Sequence, residues 1–195
     1  MYEVIGSRAS RTMRVLWMLE ELGVPYTHVP AAPQSDEVKA INPSGKVPIL
    51  RGGGAVLTDS VAIMTYLGDR HGKLTHQAGT IERAHQDALT LQILDEMDAL
   101  LWAAARHTFV LPKEHRVPAI KPALKWEYGR NVARLSRALH GAYLMGERIT
   151  IPDLLLAHCL IWAEAAKFPA PGARLAEFRA RMEARGPFQR AAALP

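Results

Sequence analysis

The sequence contains a single cysteine, Cys159, in 195 residues. One cysteine excludes an intramolecular disulfide, a redox pair of protein thiols and a cysteine-based metal cluster. Cys159 lies in the apolar stretch 154–162, where a thiol behaves as a small hydrophobic group, so we expect it to be buried and inert. The eight histidines show no zinc-site spacing, and we therefore expect no metal.

Long apolar runs are also missing. No stretch approaches the roughly 20 apolar residues that cross a bilayer, and the chain does not open with a signal-peptide pattern. These two absences predict a cytoplasmic protein with no membrane partner.

The net charge of +5 raises the possibility of a nucleic-acid partner. The first 72 residues carry equal numbers of acidic and basic side chains, so the excess lies in the C-terminal part. Its basic residues are spread along one helical stretch at mixed spacing: Arg116, Lys121, Lys125, Arg130, Arg134 and Arg137. No nucleic-acid-binding motif accompanies them, so we interpret them as a solvated helix face.

Residues 1–72 alternate short β-prone runs with helical ones. We predict strands at Tyr2–Ile5, Tyr26–Val29, Val47–Leu50 and Ala55–Leu57, and helices at Arg11–Leu22, Asp36–Ile41 and Ser60–His71. Gly23 should end the first helix, and Arg51–Gly54 should form a hairpin turn. This order predicts an α/β domain made of a βαβ unit followed by a ββα unit.

After Gly72 the strand signal nearly disappears, and long apolar-periodic stretches predict an all-α domain. Its helices should cover 80–106, 117–140, 150–166 and 174–184, with a last turn near Phe188. Thr150 and Asp153 fit a capping box at the start of one of them. We therefore predict two domains, at 1–74 and 80–195, joined by a polar connector.

The most specific segment runs from Asn42 to Leu50 and is followed by Asp59-Ser60 at a helix start. Pro48 has no backbone donor and can follow a cis peptide bond, which would leave the backbone of Val47 turned outward. An extended peptide could pair with that edge. Ser60 and the first-turn amides could hold a small carboxylate, and Asp59 could hold an amine.

Three segments together resemble cytosolic glutathione transferases of the bacterial type that carry a serine in the first loop. They are Pro-Ser-Gly-Lys-Val-Pro at 43–48, Thr-Asp-Ser-Val-Ala-Ile-Met-Thr-Tyr-Leu at 58–67, and the opening Ser-Arg-Ala-Ser-Arg-Thr-Met-Arg-Val-Leu-Trp at 7–17. The resemblance implies a thioredoxin-like N-terminal domain with glutathione as co-substrate. It also implies the contacts of the tripeptide: Val47 before a cis Pro48 pairs with its cysteinyl backbone, Asp59 and Ser60 hold its γ-glutamyl end, and Lys46 approaches a carboxylate.

A transferase of this kind must increase the thiolate fraction of glutathione at neutral pH. Lowering a thiol pKa from near 8.5 by about two units requires roughly 2.7 kcal/mol of preferential interaction with the anion. A hydroxyl hydrogen bond together with a helix N-terminus supplies an interaction of this order. Ser10, next to the first helix, is our candidate catalytic residue, and Ser7 or a backbone amide remains the alternative.

The resemblance also implies a homodimer and a second-substrate site between the two domains. Candidate residues for that site are Ser7, Trp102, Arg106 and His107. The expected function is attack of the glutathione thiolate on small hydrophobic electrophiles, or on organic hydroperoxides, as in detoxification. A glutathione-dependent isomerase or dehalogenase, and a non-catalytic transferase-like interaction module, are the alternatives.

Overall fold

The computed structural model describes residues 1–195 and contains one four-stranded sheet. Its strands are β1 (Tyr2–Ile5), β2 (Tyr26–Val29), β3 (Ile49–Gly52) and β4 (Ala55–Thr58), in the spatial order β2-β1-β3-β4. β1 runs parallel to β2 and antiparallel to β3, and β3 is antiparallel to β4. The connectivity is that of the predicted βαβ and ββα units.

Three helices accompany the sheet: α1 (Met13–Leu22), α2 (Asp36–Ile41) and α3 (Ser60–His71). A turn of helix at Arg8–Thr12 precedes α1, and the backbone of Ser10 within it is extended (φ −125°, ψ −170°). Gly23 ends α1 in the left-handed conformation (φ 69°), which glycine adopts at little cost. The predicted end of the first helix is therefore confirmed.

The third strand begins two residues later than predicted. We expected Val47–Leu50, whereas the strand covers Ile49–Gly52. The reason is Pro48, which has no N–H to donate to a sheet ladder, so pairing with β1 begins at Ile49. The hairpin is confirmed, but its turn is shorter than predicted. Arg51 and Gly52 belong to β3, and only Gly53 and Gly54, both at positive φ, connect it to β4.

The helices of the second part are α4 (Ile81–Ile93), α5 (Ala99–Ala105), α6 (Lys121–Ala138), α7 (Ile151–Ala165), α8 (Ala173–Glu183) and α9 (Gly186–Ala192). The predicted single helix at 80–106 is divided by wide π-type turns at Leu94–Asp98, and it continues through another at Arg106–Val110. The side-chain amide of Asn131 donates to the Glu96 carbonyl at 3.0 Å, satisfying a backbone oxygen at the first of these turns. Sequence periodicity did not reveal the wide turns.

The chain forms two compact units. One combines Met1–Ala78 with Glu183–Pro195, and the other is Gly79–Met182. In the first unit the indole of Trp17, on α1, meets the Phe188 ring of α9 edge-on at 4.8 Å between centroids. The last helix thus packs on α1, although the division into domains at 1–74 and 80–195 stays a prediction.

The core of the first unit is formed by apolar side chains of the sheet and of α1 and α3, among them Val4, Leu16, Ile49, Ile63 and Leu67. In the second unit α7 is apolar on almost every face and is buried along most of its length, and Cys159 is fully buried there, as expected. The α/β fold followed by an all-α part is confirmed. None of the helices combines the length and the apolar character that a membrane span requires.

The capping box at the start of α7 is confirmed. Asp153 accepts hydrogen bonds from the backbone N–H of Thr150 at 2.8 Å and from its hydroxyl at 2.9 Å. The same buried carboxylate also accepts from the Leu144 N–H at 2.8 Å. Asp153 thus joins the helix start to the preceding loop, which is a structural role and not a catalytic one.

Candidate functional site at one end of the sheet

The strand register places the three motif-bearing segments at one end of the sheet. Ile49 pairs with Ile5 of β1 and with Thr58 of β4. The loop at 7–10 follows β1, residues 46–48 precede β3, and Asp59-Ser60 follow β4. All three segments therefore lie at the same end of the sheet, next to Ile5, Ile49 and Thr58.

The loop before β3 is held by side chains of its own polar residues. The side-chain Nδ2 of Asn42 donates to the Lys46 backbone carbonyl at 2.9 Å, and its side-chain Oδ1 accepts from the Ser44 hydroxyl at 2.9 Å. Gly45 has a positive φ of 66°, and a Cβ there would lie 2.5 Å from the Gln34 side chain. The loop leaves the Lys46 side chain exposed beside Val47.

The peptide bond between Val47 and Pro48 is cis, as the resemblance implied. None of the hydrogen bonds within the chain uses the backbone N–H or C=O of Val47. The Val47 side chain is half-buried and Pro48 is buried. The structure thus contains a fixed stretch of backbone with an unpaired donor and an unpaired acceptor directly before a strand.

The hydroxyl of Ser10 is fully engaged within the chain. It donates to the Ser7 carbonyl at 2.6 Å and accepts from the Thr12 N–H at 3.1 Å, and it lies 2.9 Å from the Thr12 hydroxyl. An extended residue whose side chain accepts from the amide two positions later has the geometry of a helix N-cap. Ser10 therefore caps the helical residues that follow it and continue into α1.

The hydroxyl of Ser7 has fewer hydrogen-bond partners than that of Ser10. Its hydroxyl oxygen accepts from the Ala9 N–H at 3.3 Å, and its own proton is given to no acceptor in the chain. Both hydroxyls of the loop are half-buried. The role of Ser10 in catalysis stays a prediction. The Ser7 hydroxyl can donate to a ligand without breaking a hydrogen bond within the chain.

Asp59 is the N-cap of α3, with Oδ1 accepting from the N–H groups of Val61 at 2.9 Å and Ala62 at 3.0 Å. Its φ of 70° lies in the left-handed region, an unfavourable conformation that concentrates at functional sites. Oδ2 has no partner in the chain, so one carboxylate oxygen is available to a ligand. The first-turn amide left unused is that of Ser60.

Sequence reasoning missed Arg14. Its side chain is fully buried, and its guanidinium donates to the Ser60 hydroxyl oxygen at 3.3 Å, which joins α1 to α3. Because that oxygen acts as acceptor, the Ser60 proton remains able to point elsewhere. The available signal was an arginine within the apolar stretch that forms α1.

The remaining candidates lie in the second unit. Trp102 is half-buried on α5, and Arg106 is exposed at the start of the wide turn that follows. The His107 ring accepts from the Val117 N–H at 3.1 Å and so ties together the two ends of the 107–117 loop. Arg116 completes the loop by donating to the carbonyls of Thr108, Phe109 and Leu111. His107 thus has a structural partner, and the assignment of this set to a second substrate stays a prediction.

The structure brings no three His, Cys, Asp or Glu side chains together in an arrangement that could hold a metal ion. The hydrogen-bonding groups available at the end of the sheet are backbone groups, hydroxyls, one carboxylate oxygen and an exposed lysine. Such a set suits a small zwitterionic peptide, which offers the complementary amine, carboxylates and amides.

Comparison with known proteins points in the same direction. Residues 4–75 match the family model described as glutathione S-transferase, N-terminal domain. The glutathione S-transferase GstA of Escherichia coli O157:H7 is 31% identical over 157 residues, which cover 77% of this chain and 74% of that protein.

Solved structures extend the similarity to the whole chain. A theta class glutathione S-transferase from Xanthomonas axonopodis pv. citri, solved with glutathione bound, has a TM-score of 0.81 at 27% identity and covers 100% of this chain and 98% of its own. BphK, a bacterial glutathione transferase, has a TM-score of 0.86 at 23% identity, with 97% and 96% covered. The chain belongs to the glutathione S-transferase family, whose members are enzymes that use glutathione as a co-substrate.

Proposed function

We propose that this protein activates the thiol of glutathione for attack on small hydrophobic electrophiles or organic hydroperoxides. The observation that carries the proposal is the unpaired backbone of Val47. A tripeptide lying beside Val47 as an added strand would satisfy its N–H and C=O, and the buried Pro48 would fix the direction in which they point.

The polar groups around Val47 match the ends of glutathione. The free Oδ2 of Asp59 would receive the γ-glutamyl amine, and the Ser60 hydroxyl and N–H would receive the adjacent carboxylate. Lys46 would approach the glycine carboxylate at the other end. Opposite charges at both ends would set the orientation of the peptide, and in this proposal its sulfur lies toward the 7–10 loop.

Ser10 stabilises the thiolate in this proposal, and its hydroxyl must then exchange one acceptor for another. The hydrogen bond to the Ser7 carbonyl is a neutral one, worth about 1 kcal/mol, whereas a bond to a charged acceptor is worth roughly 1.5–3 kcal/mol. The exchange is therefore favourable once a thiolate is present. Ser7 needs no such exchange because its proton has no acceptor in the chain.

For the second substrate we propose Ser7, Trp102, Arg106 and His107, with the half-buried Trp102 providing apolar surface. We further propose a homodimer in the cytoplasm. Ile81 and Leu91, on α4, and Val56, on β4, are large apolar side chains at least half exposed, which a partner protomer would cover.

The proposal is tested by measuring glutathione affinity, conjugation of a chloronitrobenzene, and the ultraviolet absorbance of bound thiolate. Ser10→Ala should bind glutathione and lose most of the thiolate signal, and the control Ser136→Ala, on α6, should behave as the wild type. Loss of the signal in Ser7→Ala instead would transfer the role to Ser7. Absence of glutathione binding in the wild type would favour the interaction module, and binding without activity on a broad electrophile panel would favour the isomerase.

A further inference from the structure

Gly6 is the residue between β1 and the 7–10 loop. Both its backbone N–H and its carbonyl form hydrogen bonds with residues of β2. Its N–H donates to the Val29 carbonyl at 3.0 Å, and its carbonyl accepts from the His28 ring Nε2 at 2.9 Å. The second of these bonds lies outside the sheet ladder and depends on one side chain. Gly6 therefore continues the order of the sheet for one residue beyond the end of β1.

Gly6 also lies where the 7–10 loop begins and where the chain comes close to Val47. It has a φ of 143°, and a Cβ built on it would lie 2.3 Å from the Thr12 hydroxyl oxygen and 2.8 Å from the Val47 Cβ. Thr12 in turn lies 2.9 Å from the Ser10 hydroxyl. A rotation of the peptide that follows Gly6 would thus disturb both the start of the loop and the surface against which Val47 rests.

The chemistry of the His28 ring indicates what the residue contributes. A carbonyl oxygen can only accept, so the bond to Gly6 requires a proton on Nε2. Nδ1 is buried and has no hydrogen-bond partner. A buried nitrogen without a partner is unfavourable. The hydrogen bond from Nε2 to the Gly6 carbonyl is therefore the favourable polar contact of the ring.

We propose that His28 is a positioning residue of the glutathione site, acting through the Gly6 carbonyl. The proposal rests on the proposed function, because it assigns His28 to the same tripeptide site. With the bond in place, the 7–10 loop and the backbone of Val47 keep a fixed distance before glutathione binds. Less conformational entropy of the chain is then lost on binding. Without the bond, the peptide after Gly6 gains freedom, and glutathione binding must restrain it.

The test compares two substitutions at His28. His28→Leu removes the donor, whereas His28→Gln keeps an N–H at similar reach. We expect His28→Leu to raise the KM for glutathione roughly fivefold, the effect of one lost hydrogen bond, and to leave the KM for the electrophile unchanged. His28→Gln should restore the wild-type value.

His71 also uses its Nε2 in a side-chain hydrogen bond, to Tyr2, so His71→Leu is the matched control and should change neither KM.

Amide hydrogen exchange of residues 7–13 supplies a second measurement that needs no ligand. Exchange should be faster in His28→Leu than in the wild type and should return toward normal in His28→Gln. If His28→Leu does not fold, His28→Asn replaces it, because the shorter amide does not reach the Gly6 oxygen.

Unchanged exchange, or a KM that rises equally in the leucine and glutamine variants, would overturn the positioning role while the proposed function stands. Absence of glutathione binding in the wild type would instead overturn the proposed function, and with it the assignment of His28 to that site.

Discussion

Glu21, near the end of α1, and Arg185, directly before α9, form a two-point ion pair across 164 residues of sequence. The Arg185 Nε lies 2.6 Å from Oε1 of Glu21, and its terminal nitrogen lies 2.7 Å from Oε2. The Trp17 indole N–H donates to the same carboxylate at 3.0 Å. Only 4% of the Glu21 side chain is exposed, so this pair holds the end of the chain against the first helix in a largely water-free position.

Removing one partner of this pair should leave a buried charge without compensation. We expect Arg185→Leu to lower the free energy of unfolding by about 2–3 kcal/mol, which is less than the roughly 3–5 kcal/mol for breaking a fully buried pair because Arg185 is itself partly exposed. The measurement is urea unfolding followed by tryptophan fluorescence.

The matched control is Arg190→Leu, since Arg190 pairs with Glu20 at 2.6 Å but is 59% exposed. It should cost less than about 1 kcal/mol. Equal losses in the two variants would show that burial of Glu21 does not determine the strength of the contact.

The packing of α9 illustrates what the sequence could not predict. Local periodicity gave the existence of most helices, and the turn near Phe188 was expected, because those signals lie within a few residues of one another. The contact of Phe188 with Trp17 and the ion pair of Arg185 with Glu21 join positions far apart in sequence. No spacing rule connects such positions, so the C-terminal helix could be predicted but its place could not.

The candidate site shows the same division. The sequence could propose Val47, Pro48, Asp59 and Ser60 as site residues because each lies in a short ordered motif. The strand register places those motifs at one end of the sheet. Hydrogen bonds of Ser10, by contrast, depend on side-chain rotamers that no sequence pattern specifies. The buried Arg14 was missed because its partner, Ser60, belongs to a distant helix.

The capping box of α7 should be a major source of stability for the second unit. Asp153→Ala would leave the N–H groups of Leu144 and Thr150 and the Thr150 hydroxyl without their buried acceptor. We expect a loss of about 3 kcal/mol or more, because each unsatisfied buried group costs about 1–3 kcal/mol.

Thr150→Ala is the comparison for Asp153→Ala, because it removes the cap side chain and keeps the carboxylate. It should cost about 1 kcal/mol in the same thermal or urea unfolding measurement. If the two substitutions had the same effect, the bond from Asp153 to Leu144 would contribute nothing beyond the cap.

The pair formed by Glu96 and Arg134 should make stability depend on pH. The hydrogen bond from Arg134 lowers the pKa of Glu96; burial opposes this less strongly, and the bond from Gln92 adds to the lowering. A lowered carboxyl pKa stabilises the fold above the unfolded-state value of about 4.3, and that contribution is lost as pH falls through the folded-state value.

Arg134→Gln should therefore be slightly less stable than the wild type at pH 7, and the effect should be small because Arg134 is half exposed and water screens the pair. The difference should shrink as the pH of the unfolding experiment falls below about 4. A difference that is constant from neutral to acidic pH would indicate that the arginine stabilises the helix by packing and not by its charge.

Gly6 is the position at which the fold and the candidate site depend most directly on a missing side chain. Gly6→Ala would force a methyl group against the Thr12 hydroxyl and the Val47 side chain, at a φ of 143° that alanine rarely adopts. Overpacking and backbone strain each cost about 1–3 kcal/mol, so we expect a loss of roughly 2–6 kcal/mol in unfolding free energy.

Gly72→Ala is the matched control, since Gly72 also has a positive φ, of 61°, but a methyl group added there would have no neighbouring atom within 4 Å. It should cost only about 1–2 kcal/mol, the penalty of the left-handed conformation alone. The difference between the two losses, measured by urea unfolding, reports the steric contacts at Gly6 together with the greater strain of its φ. Equal losses would contradict an added cost from Thr12 and Val47.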